Sequence, residues 1–133
     1  MGRTQRVLVV DDDPDITEQV GLLLRQEGYD VTAAAGMEEA EESLLSVRPD
    51  LAIVDLMMDQ HDSGFVLCHQ IQKLDPGTPI IVLTSVKAAT GISFETSSAE
   101  QRSWFKADRL LDKPIRPERL VNEVRSLLAR SAG

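Results

Sequence analysis

Asp50-Leu51-Ala52-Ile53-Val54-Asp55 is the run of residues that best indicates how this chain folds. Its inner residues are all apolar, and the run lies between Pro49 and a loop that contains several polar residues. A short apolar run without polar alternation is typical of a strand that is buried on both faces, as in a parallel sheet covered by helices. Functional residues of open α/β sheets lie at the carboxyl ends of such strands, and here that position is Asp55.

Two further apolar runs end in polar residues in the same way. Residues 7–10 are followed by Asp11-Asp12-Asp13, and residues 80–83 are followed by Thr84-Ser85. Strand and helix patterns alternate along the whole chain, which predicts an α/β fold with a parallel sheet wrapped by helices. If these strands are neighbours, their carboxylates and a hydroxyl share one end of the sheet.

Capping residues and apolar periodicity place the other elements. Asp13-Pro14 predicts the start of the first helix, with Asp as the cap and Pro at the first helical position, and Gly28 predicts its end. Further strands are expected at residues 29–34 and 109–112. Further helices are expected at residues 37–47, after Gly64, at about 97–105 and around 120–128.

Length and composition bound the classes of protein to consider. With 133 residues and 42% hydrophobic residues, we expect one domain over residues 1–133, with an ordered core at about 5–130 and no output domain. The net charge of −8 argues against direct binding of nucleic acid. A single cysteine and the lack of a long apolar run predict a cytoplasmic protein without membrane contact.

The acidic residues at the strand ends predict a metal-assisted chemistry. Carboxylates gathered at one end of a sheet repel each other, so such a cluster either takes up protons or binds a cation. Carboxylate oxygens with open coordination positions suit Mg²⁺, which keeps water ligands and binds substrate phosphate. One carboxylate can then act as a nucleophile toward phosphorus. Thr84 and Lys113, each near a strand end, would supply a hydroxyl and an ammonium group for the phosphoryl oxygens.

These residues lie in four segments, which read VVDDDPD at 9–15, PDLAIVDLMM at 49–58, IVLTS at 81–85 and LDKP at 111–114. Each segment alone is a weak signal, but the four in this order and at these separations are specific. Through them, nearly the whole chain resembles the receiver domain of two-component response regulators, in its stand-alone form.

The resemblance implies a flavodoxin-like (βα)₅ fold, a doubly wound parallel sheet of five strands in the order 2-1-3-4-5 with helices on both faces. It implies a phosphoacceptor switch of bacterial phosphorelay signalling, which is not an enzyme beyond its own phosphorylation and slow dephosphorylation. The expected partners are a sensor histidine kinase or a phosphotransfer protein and an unidentified downstream protein. The expected state is a monomer or a weak homodimer.

The resemblance also implies a role for each site residue. Asp55 would accept the phosphoryl group from a phosphohistidine of the kinase. Mg²⁺ would be bound directly by Asp12 and Asp55, with help from Asp11 through water and from the backbone carbonyl of Met57. Thr84 and Lys113 would contact the phosphoryl oxygens.

Two departures from the family pattern concern the switch. Leu110 stands where the family has an aromatic residue on the fifth strand, and the span from Thr84 to Lys113 is longer than usual. In the family, the threonine and this aromatic residue move together, so Thr84 and Leu110 occupy the switch positions. Because Leu110 has no ring to move, we expect phosphorylation to alter the surface around residues 86–106.

Two alternative functions stay open. One is a haloacid-dehalogenase-like phosphatase, whose Asp-x-Asp-x-Thr signature fits residues 13–17. Against it, Asp13 lies past the strand end and is expected to cap the first helix. The other is a degenerate receiver that acts only as a binding module. Leu110 favours this alternative, whereas the intact acidic set argues against it.

Overall fold

The computed structural model describes residues 4–46, 48–55, 63–74, 77–85, 109–113 and 116–132. The strands in these ranges are β1 (Arg6–Val10), β2 (Asp30–Ala34), β3 (Leu51–Asp55), β4 (Ile80–Ser85) and β5 (Arg109–Lys113). The helices are α1 (Pro14–Gln26), α2 (Met37–Ser46), α3 (Ser63–Leu74) and α4 (Pro117–Ala132). No helix in the described ranges is both long and apolar enough to cross a lipid bilayer.

All five strands form one parallel sheet in the order β2-β1-β3-β4-β5. The predicted strand order is therefore confirmed. Every residue of β3 is buried, because this strand lies at the centre of the sheet with neighbours on both sides. The apolar run at 50–55 predicted this position.

Helices cover both faces of the sheet, as predicted for a doubly wound fold. Helices α1 and α4 pack on one face, and α2 and α3 pack on the other. Alternate side chains of β1 and β3 divide between these two cores. The first core contains Val7, Val9, Leu51 and Ile53, and the second contains Leu8, Val10, Ala52 and Val54.

The boundaries of several elements differ slightly from the sequence prediction. Strand β4 does not stop before Thr84-Ser85 but includes both residues, because they pair with Asp112 and Lys113 of β5. Helix α1 ends as predicted, and Gly28 adopts a positive φ of 95° that a side chain would disfavour. The helix predicted at about 97–105 lies outside the described residues.

Candidate functional site

The register of the central strands sets the geometry of the site. Val10 at the end of β1 lies beside Val54 of β3 in the parallel ladder. One residue further along each strand, Asp11 therefore lies beside Asp55. Because parallel neighbours are only about 4.8 Å apart, the register alone brings two carboxylates together at the carboxyl end of the sheet.

Asp12 completes the cluster. One carboxylate oxygen from each of Asp11, Asp12 and Asp55 lies within 4.8 Å of the other two. Asp11 and Asp55 are buried, with 1% and 3% of their surface exposed, whereas Asp12 is exposed. The cluster therefore has a buried floor and one carboxylate that faces solvent, an arrangement that a ligand can approach from one side.

The third acid of the Asp-Asp-Asp run has a different role. The backbone N–H of Asp13 donates a hydrogen bond of 2.9 Å to Oδ1 of Asp11, which fixes the loop. The carboxylate of Asp13 accepts a hydrogen bond of 3.0 Å from the backbone N–H of Asp15 and caps helix α1. The predicted cap is confirmed, and Asp13 is not a member of the cluster.

The electrostatics of the cluster favour a cation. Two ionised carboxylates within 4.8 Å of each other repel by about 3.5 kcal/mol at an effective dielectric constant near 20. A divalent cation would remove this repulsion, and an all-oxygen donor set is the kind that Mg²⁺ prefers. The residues present therefore fit a Mg²⁺ site formed by Asp11, Asp12 and Asp55.

The sheet also fixes the backbone positions of the other predicted site residues. Thr84 pairs with Asp112 and Ser85 with Lys113, so the backbones of Thr84 and Lys113 lie at the carboxyl ends of β4 and β5. These are the strand ends at which Asp55 and the acidic run also lie. The side chains of Thr84, Leu110 and Lys113 lie outside the described residues, as do Met57 and residues 86–106.

Cys68 is separate from this site. It lies on α3 in the second core with 1% of its surface exposed. Burial raises the pKa of its thiol to about 12, so the thiol is protonated at neutral pH and is a poor nucleophile. Cys68 is therefore a small residue of the second core.

Residues 7–125 match the family described as the response regulator receiver domain. The chain belongs to this family. Its resemblance to receivers is thus confirmed, together with the architecture that it implied, whereas the stand-alone form stays a prediction.

Relatives of this receiver domain include longer regulators. The DNA-binding response regulator MtrA of Mycolicibacterium smegmatis is 34% identical over 127 residues, which cover 96% of this chain and 52% of MtrA. The transcriptional regulatory protein GlrR of Escherichia coli is 37% identical over 126 residues, which cover 95% of this chain and 27% of GlrR. The chain thus spans about half the length of MtrA and less of GlrR.

Solved receiver domains share the same fold. A CheY-like response regulator receiver domain protein from Methanospirillum hungatei JF-1 superimposes with a TM-score of 0.80 at 26% sequence identity. The match covers 98% of both chains. The fold of the described residues is therefore similar to that of a known receiver structure.

One polar contact was not predicted from the sequence. Oδ2 of Asp50, just before β3, accepts a hydrogen bond of 2.8 Å from the backbone N–H of Arg6 at the start of β1. The carboxylate thus ties the two central strands together at their amino ends. The position of Asp50 directly before an apolar run is the signal in the sequence, but the partner depends on strand order.

Proposed function

We propose that this receiver domain is a phosphoacceptor switch in which Asp55 takes a phosphoryl group from a phosphohistidine. The observation that carries the proposal is the cluster of three carboxylates within 4.8 Å at the carboxyl ends of β1 and β3. Of the three, Asp55 is the one that ends the central strand, and it is 97% buried. A nucleophile held by a strand has a fixed direction of attack, which favours transfer from a correctly placed donor.

The proposed reaction is a single displacement at phosphorus. A carboxylate oxygen of Asp55 forms a bond to phosphorus, and the bond between phosphorus and the imidazole nitrogen breaks. The imidazole nitrogen keeps the electron pair, and Asp55 becomes an acyl phosphate. Thr84 and Lys113 would contact the phosphoryl oxygens from the ends of β4 and β5, where their backbones lie.

We propose that Asp11, Asp12 and Asp55 hold Mg²⁺, with the backbone carbonyl of Met57 as a further ligand. When bound, the ion supplies positive charge that balances the carboxylates and the incoming phosphoryl group. The proposal is supported by the all-oxygen donor set and by the mutual repulsion of the three carboxylates. Asp11 also holds the loop by accepting a hydrogen bond from the N–H of Asp13.

The proposed partners follow from the family. A sensor histidine kinase or a phosphotransfer protein would supply the phosphoryl group, and a downstream protein would read the surface around residues 86–106. The negative net charge of −8 argues against direct contact of this domain with nucleic acid. The single cysteine supports a cytoplasmic location.

A phosphatase of the haloacid dehalogenase type is less well supported. Its signature would make Asp13 the nucleophile, but Asp13 is exposed and caps helix α1 through the N–H of Asp15. Steady turnover of many equivalents of p-nitrophenyl phosphate would contradict the switch and favour the phosphatase.

The proposal is tested by incubating the protein with Mg²⁺ and acetyl phosphate and measuring the intact mass. The wild type should gain one phosphoryl group, and Asp55→Asn should gain none. Asp13→Asn is a matched control, because it removes a neighbouring carboxylate but keeps the helix cap, and it should react like the wild type. Undiminished modification of Asp55→Asn would refute the assignment of Asp55.

A further inference from the structure

Strand β2 is the outermost strand on one side of the sheet and pairs with β1 through its inner edge. The N–H of Asp30, at the start of β2, donates a hydrogen bond of 2.9 Å to the carbonyl of Gln5. Because the backbone groups of successive strand residues face opposite edges, those of Thr32 also face β1, and those of Val31 and Ala33 face outward. The outer edge of β2 therefore presents the N–H and C=O groups of Val31 and Ala33.

The guanidinium of Arg25 lies at this outer edge. Nη2 of Arg25, in the last turn of α1, donates a hydrogen bond of 3.2 Å to the carbonyl of Val31. This carbonyl is one of the two outward acceptors of the strand. An incoming strand would have to displace the guanidinium, and charged side chains at sheet edges are a common obstacle to such pairing.

The close approach of α1 to β2 at Gly21 makes room for this contact. Gly21 is buried, and a Cβ there would lie 3.4 Å from Nη1 of Arg25 and 3.7 Å from Cγ1 of Val31. The missing side chain leaves the space beside which the guanidinium lies. The head group of Arg25 is thus placed between the helix and the strand edge.

The geometry of the outer edge suits a second copy of this chain. In an antiparallel pair of β2 strands, Thr32 of each copy would lie opposite Thr32 of the other, and Val31 would exchange hydrogen bonds with Ala33. Thr32 and Ala33 are exposed, so these positions are accessible. Both copies would use the same edge, so the assembly would stop at a dimer. Half of the hydrogen bonds of this pair would form at the carbonyl of Val31 or at its N–H beside it, where the guanidinium of Arg25 lies.

We propose that Arg25 closes the outer edge of β2 and prevents this receiver domain from pairing with a second copy through that edge. As the basic residue in the last turn of α1, Arg25 also balances the negative end of the helix dipole. That role alone predicts a loss of stability when Arg25 is replaced, but no self-association. The outer edge shares no residue with the carboxylate cluster, so the proposal stands or falls independently of phosphoryl transfer.

The first test replaces the guanidinium. Arg25→Met keeps a long side chain of high helix propensity, and Arg119→Met is the matched control, because Arg119 is exposed on α4 and its loss changes the net charge equally. Sedimentation velocity over a range of protein concentrations measures self-association. Arg25→Met should dimerise at concentrations at least about tenfold lower than the wild type or Arg119→Met, since backbone hydrogen bonds become available. The same association behaviour in all three proteins would overturn the proposal.

Amide exchange shows which surface forms the dimer. In the monomer, the N–H groups of Val31 and Ala33 face outward and should exchange faster than the N–H of Thr32, which faces β1. In Arg25→Met, exchange at Val31 and Ala33 should become slow as the protein concentration rises. Dimerisation that leaves both amides unprotected would place the contact elsewhere and contradict the proposal.

A double variant separates the strand edge from the new methionine. Arg25→Met with Thr32→Lys restores the net charge of −8 but places two lysines opposite each other in the antiparallel pair. Like charges directly opposite destabilise strand pairing, so the double variant should be as monomeric as the wild type. Dimerisation as tight as in Arg25→Met alone would show that the methionine, and not the edge of β2, forms the contact.

Discussion

The two ends of the β1–β3 pair use carboxylates in opposite ways. At the amino end, Oδ2 of Asp50 accepts a hydrogen bond from the backbone N–H of Arg6, and the N–H of Asp50 donates to the carbonyl of Arg6. At the carboxyl end, Asp11 and Asp55 are buried side by side, and Asp12 joins them. The first arrangement joins two strands, whereas the second concentrates negative charge.

This difference shows that the same residue type can have a structural role at one end of a strand and a functional role at the other. A carboxylate that faces a backbone donor is stabilised by the fold itself. Carboxylates that face each other cost free energy in the folded protein, and a bound cation recovers that energy. Removing carboxylates at the two ends should therefore have opposite consequences.

The largest expected effect is on phosphorylation. Asp12→Ala removes a proposed metal ligand and should slow Mg²⁺-dependent modification by acetyl phosphate by about 100-fold or more. Asp50→Ala removes a carboxylate at the other end of the sheet and should leave the rate within about twofold. Intact-mass time courses measure both rates, and equal slowing in the two variants would show that the carboxylates at the two ends do not differ in function.

The next effect is on stabilisation by metal. Mg²⁺ at 100 times its dissociation constant should raise the free energy of unfolding of the wild type by about 2.7 kcal/mol. Asp55→Asn should lose most of this gain, and Asp50→Asn should keep it. Urea unfolding with Mg²⁺ and with a chelator measures the gain. A gain of the same size in Asp55→Asn would mean that the ion binds elsewhere.

A smaller effect, of opposite sign at the two ends, is expected without metal. Asp55→Asn relieves repulsion and should raise the free energy of unfolding by about 1–2 kcal/mol. Asp50→Ala removes a hydrogen bond to the N–H of Arg6 and should lower it by about 1 kcal/mol. Urea unfolding in a chelator tests both, and a decrease in both variants would show that repulsion in the cluster is unimportant.

The smallest effect concerns Asp13, which lies next to the cluster but is structural like Asp50. Asp13→Ala removes the cap of α1 and should lower the free energy of unfolding by about 1 kcal/mol, whereas Asp13→Asn should change it by only a few tenths. Neither should alter the stabilisation by Mg²⁺. A reduced response to Mg²⁺ in Asp13→Asn would place this carboxylate in the metal site.

The sequence predicted the sheet and the cluster because both depend on local patterns. An apolar run that is not interrupted by polar residues indicated that β3 is central, and Asp55 follows from the end of that run. Asp11 and Asp12 follow from the end of β1 in the same way. Once β1 and β3 are neighbours, their parallel register places these residues side by side, so strand order is the only further information that the prediction needs.

Other features depend on which elements become neighbours, and local patterns do not contain that information. Strand β4 runs through Thr84-Ser85 because β5 offers pairing partners there. The hydrogen bond of Asp50 depends on the position of β1 beside β3.

The strand order also has a consequence for synthesis of the chain. Strand β1 pairs with β2, which follows it closely, and with β3, which is made later. At roughly 5–20 residues per second, about 1–4 s pass between the emergence of β2 from the ribosome and the emergence of β3. During that interval, β1, which is an inner strand of the finished sheet, has one edge without its hydrogen-bonding partner. A ribosome that pauses in this interval would present an apolar strand edge to other nascent chains, a known route to aggregation.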